Sequence, residues 1–243
     1  MIRTPRGIAV AVRSLVLLFL LLTGGCSQTD GKLQTGVTLL TYQEQEAGVE
    51  PYPLRIFITE DFLRFDDGYD ESDFMLMERD TQTVYSVSHE DRSILVLADY
   101  PAADPAPTEI VLTEERSVDA AAPKVAGTQP VYIRFLASGE TCYHAIVVPG
   151  LLEQASTALA DYATVLGNRQ FSDMASVPED MRTPCFLSRY VYTPARHLRH
   201  GLPISEWDEG GYRRTLVDFR ENETLDAELF QLPEGYERFQ PNG

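Results

Sequence analysis

The sequence predicts a mainly β fold with helices, of the α+β class: a strongly curved antiparallel half-barrel carrying one packed amphipathic helix. Three observations point there. Short runs of β-branched, aromatic and aliphatic residues recur at even spacing from Val37 onward, which is the pattern of half-buried strands. Polar turn signals separate them, starting with Asp66-Asp67-Gly68, where short polar side chains and glycine let the backbone reverse. One later segment abandons the period of two for a spacing of three and four, the mark of an amphipathic helix.

The first segment precedes that domain. Arg3, Arg6 and Arg13 make a positive region ahead of the unbroken apolar run Leu15–Leu22, and Thr23-Gly24-Gly25 bring small residues up to Cys26. The run is far shorter than the ~20 residues a spanning helix needs. Positive charge, a short apolar core and a small-residue exit describe a removable export signal over residues 1–25. Leu22-Thr23-Gly24-Gly25-Cys26 resembles the lipobox of bacterial lipoproteins, whose cysteine is acylated and becomes the new N-terminus. The resemblance implies lipidation at Cys26 and, with Ser27 rather than Asp following it, attachment at the periplasmic face of the outer membrane. Two acyl chains would be needed for stable anchoring, since one binds only marginally. Residues 26–36 are polar and glycine-containing and read as a tether; residues 37–240 read as one β-rich domain.

The chain is 243 residues long with 37 acidic and 20 basic side chains, a net charge of −17. That charge repels nucleic acid, so nucleic-acid binding is excluded. With Cys26 acylated in an oxidising compartment, Cys142 and Cys185 remain as a pair and point to a disulfide. Such a bridge over a long loop stabilises by ~4 kcal/mol in the chain-entropy model. Two buried thiols or a metal pair are the alternatives.

Leu54–Ile58, Phe62–Phe65, Phe74–Met77, Val84–Val87 and Ile94–Leu97 form a meander of antiparallel strands. The Ala/Pro-rich stretches 101–107 and 118–130 are loops. Between and after them, Ile110–Leu112, Val131–Leu136 and Tyr143–Val148 read as strands. Leu151, Leu152, Ala155, Leu159, Tyr162, Ala163 and Leu166 make one helical stripe, bounded by Pro149-Gly150 and Gly167-Asn168 as stop signals. Ser176-Val177-Pro178-Glu179 resembles the capping box of a short second helix. Strands are expected again at Phe186–Tyr192, Ile204–Trp207, Tyr212–Phe219 and Leu229–Leu232. About ten strands in one sheet either close or curl around something.

Arg196, His197, Arg199 and His200 are the basic cluster of an acidic domain and the candidate site for an anionic ligand such as a lipid head group. The plain alternative is side chains paired with surface carboxylates. Two histidines alone do not make a zinc site, and no metal is assigned. Asp66 to Asp73 is dense in oxygen ligands that would suit calcium, but lacks the EF-hand spacing; an acidic hairpin turn explains it. Cys142-Tyr143-His144 invites a thiol-nucleophile reading that a disulfide would remove. His89 reads as exposed in a turn. No Gly-x-Ser-x-Gly elbow, His-Glu-x-x-His pair or phosphate-binding glycine loop is present, so no catalytic residue and no cofactor are assigned.

Two stretches carry a resemblance. Phe62 to Gly68 followed by Asp73 to Leu76 and Thr83 to Val87 resembles a repeated strand-and-hairpin theme, and the ending Ala227-Glu228-Leu229-Phe230-Gln231-Leu232-Pro233-Glu234-Gly235-Tyr236 resembles the terminal strand of periplasmic lipoprotein carrier-like proteins, the LolA/LolB-like half-barrels. The resemblance implies an antiparallel sheet curved around an apolar cavity, with helices as a lid. Together these readings lead to a lipid-anchored, non-enzymatic protein whose partners are the membrane, through its N-terminal lipid, and a hydrophobic or amphipathic ligand (a lipid or lipoprotein segment). A structural lipoprotein docking an envelope complex is the alternative. A hydrolase using His144 or His197 with a carboxylate is a third class, to be decided by whether either histidine meets a carboxylate in a cleft.

Overall fold

The structure is a computed structural model that describes residues 32–69 and 72–241. The export signal and Cys26 lie outside the described residues. Thirteen elements organise the chain: β1 (Leu33–Gln45), β2 (Tyr52–Ile58), β3 (Phe62–Asp66), β4 (Phe74–Glu78), β5 (Thr83–Ser88), β6 (Ser93–Leu97), β7 (Leu112–Ser117), β8 (Val131–Ala137), β9 (Glu140–Val148), α1 (Glu153–Ser172), β10 (Leu202–Trp207), β11 (Arg213–Asp226) and β12 (Glu237–Phe239). Short helical turns fill the stretch between α1 and β10.

All twelve strands join one open sheet in the order β12-β6-β5-β4-β3-β2-β1-β11-β10-β9-β8-β7. Neighbours are antiparallel except β12, which runs parallel to β6. The alternating runs from β2 to β6 fold as sequential hairpins, because each short polar turn returns the chain beside the strand it has just left. The long pairing of β1 with β11 joins this meander to β7–β10, with register irregularities between Gln34 and Val37, Val37 and Leu39, and Thr41 and Tyr42. Such bulges bend a strand and increase its twist.

Side-chain alternation sorts the core onto two faces. On one face, Leu40, Tyr42, Ile56, Ile58, Leu63 and Met77 pack with Ala155, Ala158, Leu159 and Val165 of α1. The small alanines let the helix approach the sheet closely. On the other face, Val37, Leu39, Phe57, Phe74 and Leu76 pack with Phe230. The C-terminal segment covers that side: Phe230 stacks on Phe62 with centroids 5.8 Å apart, and Arg64 donates to the Leu229 carbonyl at 2.9 Å. The meander strands are thus buried on both faces. A third cluster joins Ile133, Phe135, Tyr143, Ala145 and Val147 of β8 and β9. Among the described residues, no helix is long and apolar enough to cross a membrane.

Several sequence expectations are corrected. Residues 33–36, read as tether, belong to β1, where Leu33 and Gln34 pair with Asp226 and Leu225. Gly167 does not stop α1, which runs on to Ser172. A Cβ at Gly167 would lie 2.7 Å from Pro194 Cγ and 3.1 Å from the Val191 carbonyl, so glycine there is a close-packing contact. Ser176 caps no helix; its hydroxyl donates to the Asp173 carbonyl at 2.7 Å and ends a 3-10 turn. The expected strand Phe186–Tyr192 is helical. Thr183 caps it by accepting from the Phe186 N–H at 3.2 Å, Pro184 presets the first turn, and the chain passes into the π-helical segment Leu187–Tyr192. Ser188 and Val191 are its buried positions, a spacing of three that short runs do not distinguish from strand alternation. Leu229–Leu232 is also not a strand. Asp226 accepts from the Glu228 N–H at 2.9 Å, starting the 3-10 turn Ala227–Phe230. Of the expected strand Ile110–Leu112, only Leu112 is paired, as the first residue of β7.

Candidate functional site

The register between β10 and β11 sets Glu206 directly opposite Arg214. Their side chains meet on the α1 face, where the Glu206 carboxylate accepts from Arg214 Nε at 3.0 Å. Its other oxygen lies 3.0 Å from His197 Nε2. Glu206 is only 5% exposed. Burial alone would raise its pKa, but Arg214 and His197 outweigh it and hold the carboxyl well below the usual range. Arg214 is buried in turn, and Glu206 outweighs that desolvation and keeps it charged. Its guanidinium lies 5.0 Å over the Tyr42 ring, and Tyr42 donates to the Pro203 carbonyl at 2.8 Å.

A cavity of about 190 Å³ opens beside this group, between α1, the Leu187–Tyr192 turn and the sheet. Leu159, Tyr162, Ala163 and Leu166 of α1 and Phe65 of β3 form its apolar wall. Tyr143, Arg189, His197, Glu206, Tyr212 and Arg214 form the polar wall. Tyr190, 48% exposed, stands at the rim. Arg189 pairs with Asp208 and places its guanidinium 5.0 Å from Tyr143, 5.3 Å from Tyr190 and 5.2 Å from Tyr212. The Cys142–Cys185 disulfide fastens the turn that carries Arg189 to β9, which removes the thiol-nucleophile reading of Cys142.

Two polar atoms of the wall have no hydrogen-bond partner among the described residues: Tyr143 Oη and His197 Nδ1. Tyr143 is 2% exposed, and burial pushes its phenol far above its ordinary value, so it keeps its proton. His197 turns Nε2 to the Glu206 carboxylate, so Nδ1 is the ring nitrogen left without a partner. Both atoms are fully buried, so neither opens onto the cavity.

The predicted anionic-ligand cluster divides. Arg196 turns away from the cavity: its guanidinium donates to Glu114 Oε1 at 3.0 Å and to the Thr113 and Leu136 carbonyls at 2.6 and 3.2 Å. Arg199 pairs with the same carboxylate, and His200 Nε2 lies 3.1 Å from Glu114 Oε2. Arg116 joins at 2.8 Å. Burial opposes ionisation of Glu114, yet its bonds to Arg116, Arg196, His200 and Arg199 lower its pKa to about 2. The anion these residues hold is the chain's own Glu114 on β7. His197, next in sequence to Arg196, points the other way, into the cavity.

His144 lies on the opposite sheet face. Its ring is nearly parallel to Trp207 at 5.0 Å, Nδ1 is 2.7 Å from Tyr132 Oη, and Nε2 is 3.4 Å from Glu209. His89 is half-buried rather than exposed, with Nδ1 2.8 Å from Tyr236 Oη, so it ties the C-terminal segment down. The oxygens of the acidic run are used locally: Asp66 pairs with Arg55 and Arg64 at 2.7 and 2.9 Å, and Asp67 accepts from the Tyr69 N–H at 3.0 Å. Asp70 and Glu71 lie outside the described residues.

Sequence reading missed Glu206, Arg214, Arg189, Tyr143 and Tyr212 as one group. A signal existed for Glu206: Ile204 and Glu206 are two apart in a strand, so the face that takes the isoleucine inward takes the carboxylate with it.

No protein-family model matches the chain, and none of the curated proteins does. Among solved structures, an uncharacterised conserved protein from Thermus thermophilus is similar at a TM-score of 0.42 and 10% identity, over 84% of this chain and 90% of that one. A structure of PNGF-II is similar at a TM-score of 0.39 and 10% identity, over 85% of this chain. The matched region spans about a third of that protein, 31% of its length.

Proposed function

We propose that this chain is a lipid-anchored envelope protein that binds a small amphipathic molecule in the cavity between α1 and β9–β11. The half-barrel reading supplies the frame: a sheet curved about α1 with a cavity on its inner side. The observation that carries the proposal is the lining, apolar on the α1 side and polar, with charges paired, on the sheet side. Such a division suits a ligand with an apolar body and one polar end. It also weighs for ligand binding over envelope docking, which calls for a filled core and an apolar outer patch. A volume of about 190 Å³ favours a small molecule, or the terminal segment of a chain, over a whole lipid. The Thr23-Gly24-Gly25-Cys26 motif supports anchoring through Cys26.

Two experiments test this. Native mass spectrometry of the soluble chain from Ser27 onward, purified from bacterial periplasm, is expected to show a co-purifying small molecule that extraction removes. If nothing co-purifies and an apolar-cavity dye fails to bind, ligand binding is discarded. Cys26→Ser is expected to move the protein from the membrane to the soluble fraction, and continued membrane association would refute the anchor.

The contact of His197 with Glu206 inside a cleft favours a second reading, a hydrolase in which His197 acts as general base. Among the described residues the cavity lining contains no serine, threonine or cysteine, so water would have to be the nucleophile. Turnover of ester or amide substrates that His197→Ala abolishes would establish it; its absence across such a panel would remove it.

A further inference from the structure

The sheet is open, and its two outermost strands differ. β12 spans three residues, whereas β7 spans six and is bonded on one side only, to β8. The Ser138 N–H donates to the Val111 carbonyl at 2.7 Å, which sets the phase of that ladder. In an antiparallel pair, alternate residues exchange both bonds with the neighbour, so Val111, Thr113, Glu115 and Ser117 turn their backbone groups to β8. Leu112, Glu114 and Arg116 turn theirs outward, where no strand meets them among the described residues. Such an edge is a template for a further strand. Its side chains also carry a charge bias. Three guanidiniums, those of Arg116, Arg196 and Arg199, converge on the single carboxylate of Glu114. Two positive charges are thus left unmatched, in a chain of net charge −17. Arg196 is buried and also donates to the Thr113 and Leu136 carbonyls, but the Arg116 and Arg199 side chains are 53% and 60% exposed. Val111 and Val118, each 57% exposed, flank the strand.

We propose that the free edge of β7 takes an extended acidic segment of another protein as a further strand, its carboxylates set against Arg116 and Arg199. This is independent of what the cavity binds. Backbone bonds to Leu112, Glu114 and Arg116 supply the pairing, and side-chain charge supplies the choice of partner. Charges on an edge strand discourage unselective pairing, and here that effect has a sign. A second copy of this chain is disfavoured, because β7 against β7 sets two clusters of excess positive charge side by side. A basic segment is refused for the same reason. An acidic segment matches the excess and breaks none of the pairs that Glu114 makes, so no buried charge loses its partner. Apolar residues toward the ends of the incoming strand cover Val111 and Val118.

Two acetylated, amidated peptides of one length decide the matter: Thr-Val-Glu-Thr-Glu-Val-Thr and Thr-Val-Lys-Thr-Lys-Val-Thr. Each is titrated into the soluble chain from Ser27 onward while amide hydrogen exchange is followed by NMR. The acidic peptide is expected to bind at least about tenfold more tightly than the basic one, and to lose that margin as salt rises. At saturation it should slow exchange at Leu112, Glu114 and Arg116 by about tenfold or more. Thr113, Glu115 and Ser117, already bonded to β8, should exchange as before. Arg116→Gln and Arg199→Gln are each expected to weaken the acidic peptide about fivefold. Arg199 lies outside the sheet, so its variant carries the test if Arg116→Gln does not fold. Failure of the acidic peptide to bind, equal binding of the two peptides, or binding that leaves the three outward amides unprotected overturns the proposal. Inorganic phosphate that shifts the Arg116 and Arg199 signals while neither peptide binds would make the cluster an anion site alone, which also overturns it. Protection of the same amides that grows with protein concentration, without peptide, would make the occupant a second copy and overturn it as well.

Discussion

His197 Nε2 lies 3.0 Å from the Glu206 carboxylate although the two residues sit on different elements, a turn before β10 and β10 itself. Arg214 completes the group from β11. The contact holds the imidazole in one orientation, with Nδ1 buried and without a partner among the described residues. A buried carboxylate this far from water depends on both partners, and that dependence can be measured.

Glu206→Ala should destabilise the domain by about 3–5 kcal/mol, because it leaves the Arg214 guanidinium buried without its counter-charge. Replacing both, as Glu206→Leu with Arg214→Met, should recover most of that loss, since a well-packed apolar pair removes the desolvation penalty as well as the attraction. Urea unfolding of the three proteins gives the comparison. A double variant no more stable than the single one would show that the pair contributes through packing alone.

Acid should unfold the protein through Glu114 and Glu206. Both carboxyls have pKa values below the ordinary 4.5, Glu114 at about 2 and Glu206 lower still. The unfolded chain therefore binds more protons in this range, and stability must fall as pH falls. The contribution is complete above about 4.5 and is lost progressively toward the folded values. His200 acts with the same sign from below 6.5, since burial lowers its pKa against the pull of Glu114. Urea midpoints measured from pH 7 to pH 2 at constant ionic strength should decline over these windows. Glu114→Gln should flatten the part below pH 4.5, and an unchanged slope would discount this carboxylate.

Reduction, or Cys142→Ser with Cys185→Ser, removes a bridge between residues separated by 43 positions. The expected loss is ~4 kcal/mol in the chain-entropy model. Hydrogen exchange should rise most in Pro184–Tyr192, the stretch that the bridge fastens to β9 and that carries Arg189 to the cavity. Uniform acceleration across β1–β6 instead would mean that the bridge acts on the whole fold and has no special hold on this wall.

Gly167→Ala tests the packing of α1. In an exposed helix interior this change is favourable by about 1 kcal/mol. Here the added methyl meets Pro194 and the Val191 carbonyl, and overpacking of this kind costs about 1–3 kcal/mol. A lowered thermal midpoint is expected; a raised one would show that the Pro194 loop moves aside freely.

The strands from β2 to β6 and the apolar stripe of α1 were readable in the sequence because each is written in a local period of side-chain character. The helical segment at Leu187–Tyr192 was misread for the same reason: over six residues a spacing of two and one of three and four overlap, and a capping threonine with a bridged cysteine decided between them. The basic run Arg196 to His200 was visible, but its partners were not. Arg196 reaches a carboxylate 82 positions away, and its neighbour His197 reaches a different one on β10. By itself the sequence determined which segments alternate, which segment winds, and which residues could carry charge or chemistry. Only the tertiary structure decided which charges neutralise one another, and which face of the sheet receives α1 and which the C-terminal segment. Those outcomes depend on the β1–β11 and β10–β11 registers, and strand register is a long-range relation that no local window contains.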